Sequence, residues 1–216
     1  MPHEMPHEMP HETSRPIVLA SSSRYRQQQL ALLRVPFTTA VPDIDEAPLP
    51  GEAPAATAVR LALRKAQACA ARNPGALVIG ADQVAELDGA AIGKPGNHAS
   101  ATLQLRAMSG KTVRFHSGLA LVDNASRWHH SACVETEVRY RILSDAAIEA
   151  YLQADQPYDC AGSARIESLG ICLVEAVRSD DPTALVGLPL ILLTSLLAAR
   201  GVSVPSVGAA GAATPS

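Results

Sequence analysis

The chain has 216 residues, with 18 Lys and Arg against 21 Asp and Glu for a net charge of −3. That is enough for one sizeable core, or two lobes sharing a sheet, without staples. The absence of any sustained basic run excludes the electrostatic footprint of a nucleic-acid binder. Its four cysteines, Cys69, Cys133, Cys160 and Cys172, are widely spaced and form no C-x-x-C pair. With no secretory leader read at the start, they predict buried, reduced thiols in a cytoplasmic protein rather than disulfides or zinc.

The chain opens on "MPHEMPHEMPHE". Its regularly spaced prolines deny it helix or ladder hydrogen bonds, so 1–14 is predicted to be a disordered extension whose His3, His7 and His11 bind metal loosely at most. One domain is expected over 15–202, followed by a frayed tail over 203–216 that lacks apolar periodicity. Residues 17–20 read as a short buried strand. Ser21, Ser22 and Ser23 then offer N-caps for a helix carrying Leu30, Leu32 and Leu33, a strand-to-helix junction suited to an anion. An Ala-rich helix is predicted over 52–72, ended by "RNPG". A buried strand follows over 77–80, in an apolar run that closes on Asp82.

Asp88-Gly89 reads as a hairpin turn. A helix is expected over 97–108, and strands of alternating polarity within 109–123 and 133–143. Ser144 caps the next helix. A strand is predicted over 170–177 and a last helix over 188–200, closed by Gly201. The apolar stretch 185–199 falls short of the roughly 18 to 20 residues that cross a bilayer, so it reads as a core helix and no membrane contact is expected. The alternation predicts an α/β fold, a mixed sheet with helices on its faces and a cleft at the strand ends.

"SGKT" at 109–112 is no Walker loop, because the glycine that the motif needs at 105 is Leu105. G-x-S-x-G, H-E-x-x-H and G-x-G-x-x-G are also absent, which removes serine hydrolase, zincin and dinucleotide readings. What remains is a set of polar residues at the ends of apolar elements: Ser21, Ser23, Arg26, Asp45, Glu46, Lys65, Asp82 and Lys94. Singly, each has an ordinary reading as a cap, a solvated acid or a surface lysine. Together, Asp45, Glu46 and Asp82 provide the few carboxylates that Mg²⁺ or Mn²⁺ requires, the remaining positions going to water and phosphate oxygens. Arg26, Lys65 and Lys94 supply cations for a polyphosphate. Phosphoanhydride hydrolysis needs this inventory, with Asp82 as the carboxylate that orients or deprotonates water.

In order and spacing, "LASSSRYR", "DIDE", "LALRKAQ", "VIGADQV", "DGAAIGKP", "MSGKTVRFHSGLAL", "DCAGSARIESLGI" and "DPTALVGLPL" resemble the Maf family of nucleoside triphosphate pyrophosphatases. The resemblance implies an elongated, ITPase-like mixed sheet with two lobes around a central cleft. It also implies a homodimer in many members, and cleavage of a nucleotide to the monophosphate and pyrophosphate with Mg²⁺, Mn²⁺ or Co²⁺. By the same resemblance the general base falls on Asp82, and phosphate and metal handling on Ser21, Arg26, Glu46, Lys65 and Lys94.

Three positions separate branches of that family. Tyr25, Gln83 and Glu167 resemble the branch acting on 7-methyl-GTP rather than the one acting on dTTP and UTP. The chemistry agrees, because methylation at N7 makes guanine cationic and an aromatic face then gains a cation–π contribution beyond stacking. A carboxylate accepts from the N1 and N2 hydrogens of guanine. Departures from the pattern are Arg24 for a proline, Gln27 for an arginine, Ala164 for an aromatic, Ser168 for a glycine and Thr183 for an asparagine. Two other functions stay open at this point: a pyrophosphatase for dTTP, UTP or CTP, and a catalytically silent nucleotide-binding regulator of cell division.

Overall fold

The computed structural model describes residues 15–205. The expected tails at 1–14 and, beyond 205, the rest of 203–216 lie outside the described residues. Strand β1 (Ile17–Ala20) is wholly buried. Helix α1 (Arg24–Ala31) starts where the Ser23 side chain accepts from the Arg26 backbone N–H. Leu30 is buried under this helix, whereas Leu32 is 69% exposed and not part of its apolar face as predicted. Strand β2 (Thr38–Ala40) leads through an irregular segment to α2 (Pro54–Ala70), which begins two residues later than expected because Pro54 occupies its first turn.

Strand β3 (Leu77–Leu87) does not stop at Asp82 but continues through Gln83 and Glu86. It turns at Asp88-Gly89, both with positive φ, into β4 (Ala90–Ile92), confirming the predicted hairpin. Helix α3 (His98–Met108), capped by Asn97, strand β5 (Thr112–Asp123) and α4 (Asp145–Asp155), capped by Ser144, follow the sequence reading closely, whereas strand β6 (Trp128–Tyr140) starts five residues earlier than expected and ends at Tyr140. The last strand, β7 (Val174–Ser179), starts four residues late. Its expected beginning is a 3-10 turn over Leu169–Leu173, where Gly170 packs so tightly that a Cβ would lie 2.5 Å from the Arg165 carbonyl oxygen. Helix α5 (Leu190–Ala199) closes the fold, and Gly201 follows with φ of 79°. Among the described residues no helix is long and apolar enough to cross a membrane.

The seven strands form one mixed sheet in the order β2-β1-β3-β5-β6-β7, with β4 beside β3. The pairs β1–β2 and β1–β3 are parallel and the others antiparallel. Alternate residues face opposite sides. On one side Ile17, Leu19, Ile79 and Leu121 pack against Leu30 of α1 and Leu193 and Leu197 of α5. Farther along that side Ala85, Phe115 and Val138 pack against α3 and α4. Gln83 and Ser117 fall between these two apolar clusters, marking the seam between two lobes of one continuous sheet.

The other side is covered by α2 at very close range. A Cβ on Gly80 would sit 2.1 Å from the Ala62 carbonyl oxygen, and one on Gly118 would sit 2.2 Å from that of Ala58. Those two glycines set the height of α2 above the sheet, and so where its Lys65 can reach. The cysteines form no disulfide, but only Cys69 is buried. Cys133 and Cys160 are half-buried and Cys172 is exposed, contrary to the expectation for all four.

Candidate functional site

The C-terminal ends of the three parallel strands open into one cavity of about 880 Å³. From β1 the chain passes through Ser21 into α1, from β2 it passes to Glu46, and within β3 Asp82 lies two residues beyond Gly80, the last partner of β1. The end of an open α/β sheet is where ligands collect. Ser21, Arg26, Glu46, Lys65, Asp82 and Lys94 all line this cavity.

Lys65 is its pivot. The residue is buried, and its Nζ donates to Asp82 Oδ1 at 2.6 Å and to Glu46 Oε2 at 2.9 Å. An ammonium that far from water needs both partners. Two carboxylates on one ammonium leave a negative charge uncompensated. Arg26 answers part of it from across the cavity. Protein crowding pushes its guanidinium below the ordinary arginine value while Asp82 and Glu46 pull it back up. Its Nε donates to the Gly187 carbonyl at 3.0 Å, and Gly187, with φ of 107°, has no Cβ to crowd it.

Lys94 is exposed and lines the cavity. The backbone beside it is held by Gln104, which donates to the Gly93 carbonyl, and by Gly96 N–H, which donates to the Tyr158 carbonyl. Ser21 is buried, and its Oγ accepts from the Ser23 N–H at 3.1 Å. The expected third carboxylate does not join the group. Adjacent residues of an extended segment point in opposite directions, and Asp45 turns out to accept from the Ala47 N–H at 2.9 Å while Glu46 turns in.

A smaller cavity of about 150 Å³ adjoins the first and shares Tyr25, Arg26, Gln83 and Lys94 with it. Here Tyr25, Gln83 and Glu167, the three branch-separating positions, come together, with Phe115 and Val186 as apolar wall. The Gln83 amide nitrogen lies 3.0 to 3.1 Å from Ser117 Oγ and the carbonyls of Ala184 and Leu185. Those acceptors take up its donors and leave its oxygen for the cavity. Glu167 is exposed and makes no hydrogen bond or ion pair among the described residues.

The Tyr25 ring already has cationic company. The guanidinium carbon of Arg24 lies 5.1 Å from its centroid and that of Arg165 lies 5.8 Å away, and Arg24 also donates to the Tyr25 hydroxyl. Cys160, expected as a buried thiol, lines this cavity. Burial pushes its thiol up to about 11, so it meets a ligand as a neutral group.

Three of the departures noted in the sequence have physical accounts, and nothing in the structure explains Gln27. Ala164 lines the smaller cavity, where its short side chain leaves room. Ser168 has φ of −131°, which needs no glycine, and its hydroxyl donates to Asp155. Thr183 donates to Asp181 and accepts from the Leu190 N–H, tying down the start of α5. Sequence reasoning missed Ser117, Gly187 and the pair Glu52–Arg60 beside the larger cavity. Ser117 and Gly187 lie within "HSGLAL" and "VGLP", whereas the Glu52–Arg60 pair left no sequence signal.

The profile of a family described as "Maf-like protein" matches residues 16–200. A protein of Cupriavidus metallidurans called 7-methyl-GTP pyrophosphatase is 56% identical over 197 residues, 91% of this chain and 98% of that protein. Proteins with the same name from Burkholderia pseudomallei and Bordetella pertussis are 59% identical over 188 residues and 55% identical over 186, each covering 86% of this chain and 87% and 92% of their own.

Proposed function

The chain belongs to the Maf family, and on that premise we propose that it is a nucleoside triphosphate pyrophosphatase that hydrolyses 7-methyl-GTP to the monophosphate and pyrophosphate. The observation that carries this reading is the division of one opening into two ends. Lys65 with Asp82 and Glu46 stands at the large end, and Tyr25, Gln83 and Glu167 stand at the small one.

A cationic guanine stacked on Tyr25 presents its N1 and N2 hydrogens to an acceptor, and Glu167 is the free carboxylate at that wall. The triphosphate then runs past Arg26 and Lys94, which border both cavities, toward Lys65. Asp82 Oδ1 is committed to Lys65, which fixes the carboxylate and leaves its second oxygen to orient water on the α-phosphorus. As the water oxygen bonds to that phosphorus, its proton passes to the carboxylate, the bond to the bridging oxygen breaks, and pyrophosphate leaves against the cations.

The donor set fits a divalent metal. Two carboxylates facing one ammonium suit Mg²⁺ or Mn²⁺, which takes one or two carboxylates and completes its shell with phosphate and water. Among the described residues no group of three or more His, Cys, Asp or Glu side chains comes together, so the ion would rest on two carboxylates and water, with phosphate oxygens added when substrate binds. Asp82 and Glu46 would hold the ion, which would neutralise phosphate charge and polarise the attacking water.

The test is a panel of 7-methyl-GTP, GTP, dTTP, UTP and CTP scored for pyrophosphate. The reading expects 7-methyl-GTP to lead the panel with pyrophosphate as product. Equal turnover of the pyrimidine nucleotides would move the substrate assignment to them. No pyrophosphate from any nucleotide with Mg²⁺, Mn²⁺ or Co²⁺ would end the enzymatic reading.

A further inference from the structure

Glu46 sits in a segment that neither sheet nor helix holds: residues 41–53 lie between β2 and α2 without regular structure. Pro42, Pro48 and Pro50 stiffen the segment but remove backbone donors with which it could anchor itself. Its tethers come instead from long side chains of α2 and of the turn that follows it. Arg60 Nη2 donates to the Ala47 carbonyl at 3.1 Å, Arg64 Nη1 to the Asp45 carbonyl at 3.4 Å, and Arg72 Nη2 to the Val41 carbonyl at 2.9 Å. The carbonyls on both sides of Glu46 are thus pinned by the helix whose Lys65 its carboxylate meets.

Arg60 is the best fixed of these tethers. Glu52, at the other end of the segment, takes its guanidinium in a two-pronged pair, Nε to Oε1 and Nη2 to Oε2, each at 2.6 Å. The side chains of Arg60 and Glu52 keep only 19% and 11% of their exposure. Glu52 Oε2 also accepts from the Leu49 N–H and the Thr57 hydroxyl. One carboxylate therefore ties the segment to itself, to the first turn of α2 and to Arg60. The Arg60 bond draws Glu52 down to about 2, so this pair stays ionised wherever the enzyme works. Lysine cannot replace Arg60, because the arrangement uses two nitrogens of a planar fork on the carboxylate and a further donor on Ala47.

We infer that Arg60, locked by Glu52, is a positioning residue that holds the Glu46 carboxylate on Lys65 beside Asp82. The inference deepens the pyrophosphatase reading and rests on it for its kinetic consequence. Its hold on Glu46 is open to measurement without turnover. The variants are Arg60→Gln, Arg60→Lys, Glu52→Gln and Glu46→Gln, together with the double variant Arg60→Gln/Glu46→Gln. Each is made in the full chain and assayed for 7-methyl-GTP turnover, for binding of Mn²⁺ alone by electron paramagnetic resonance, and for thermal unfolding.

Arg60→Gln is expected to lower kcat and weaken Mn²⁺ binding by about 10- to 100-fold, the range for residues that orient a metal ligand, with KM changed far less. Arg60→Lys should rescue folding without rescuing either readout. In the double variant the loss should equal that of Glu46→Gln alone, because Arg60 acts through Glu46. Unchanged kcat and Mn²⁺ binding with only a lower melting temperature would overturn the inference, as would additive losses in the double variant. If Arg60→Gln does not fold, Arg60→Lys and Glu52→Gln carry the same test. A wild type that releases no pyrophosphate would refute the pyrophosphatase reading, while the Mn²⁺ comparison would still decide whether Arg60 holds Glu46.

Discussion

The two ends of the opening are built differently. At the large end, Lys65 comes from a 17-residue helix and Asp82 from an 11-residue strand, the two pressed together where Gly80 and Gly118 have no side chains. At the small end, Tyr25 stands in the first turn of an 8-residue helix and Glu167 on an exposed loop before a 3-10 turn. Catalytic geometry tolerates little displacement, since about an ångström can cost a hundredfold. Base recognition tolerates more, and loops let it change without disturbing the chemistry. The contrast teaches that reaction type resides in the packed sheet and substrate choice in the loops around it.

The comparison breaks most readily at α2. Gly118→Ala should destabilise the fold by about 1 to 3 kcal/mol or more, because the new methyl meets backbone that cannot yield, and it should lower turnover of every nucleotide alike as Lys65 is pushed off Asp82. Thermal unfolding together with kcat on two nucleotides checks this. Tyr25→Ala should spare stability and cost about 1 to 3 kcal/mol on 7-methyl-GTP, with a smaller loss on GTP. An equal loss on both would mean that Tyr25 reads stacking and not charge.

A smaller effect is expected at Arg24, whose guanidinium occupies the ring that the base would use. Arg24→Ala should tighten binding of 7-methyl-GMP about two- to fivefold, as an exposed cation–π contact of roughly 0.5 to 1 kcal/mol is removed from competition. Calorimetry would detect it. The smallest effect concerns pH. Glu52 is drawn below its usual 4.5 to about 2 by Arg60, so its stabilisation is complete above 4.5 and disappears as pH falls toward 2. Amide exchange in 41–53, corrected for the intrinsic pH dependence of exchange, should accelerate over that interval, and Glu52→Gln should remove this dependence.

Much of this division was legible in the sequence. Strand β1, the Ser23 and Ser144 caps and the Asp88-Gly89 turn follow from local chemistry, and each forms as predicted. The charged inventory pointed to phosphates before any geometry was known. What the sequence hid was direction. Asp45 and Glu46 are adjacent acids, and only the path of an irregular segment decides which one turns inward. Gln83, Val84 and Glu86 disguised the second half of β3, because a strand that leaves a buried sheet to border a cavity alternates polarity in a way that reads as its end. The Glu52–Arg60 latch spans a turn and two helical turns, a pairing fixed by helix phase and invisible to any motif.

The central claim is that the carboxylate of Asp82, held by Lys65, directs water onto the α-phosphorus. Its most direct measurement is the product and rate of 7-methyl-GTP hydrolysis by wild type and Asp82→Asn, with binding of 7-methyl-GTP followed separately. The expected result is pyrophosphate from wild type and a kcat lower by about 10² to 10⁴ in the variant, with nucleotide affinity changed only a few-fold. Turnover in Asp82→Asn within a few-fold of wild type, or orthophosphate as the first product, would contradict it.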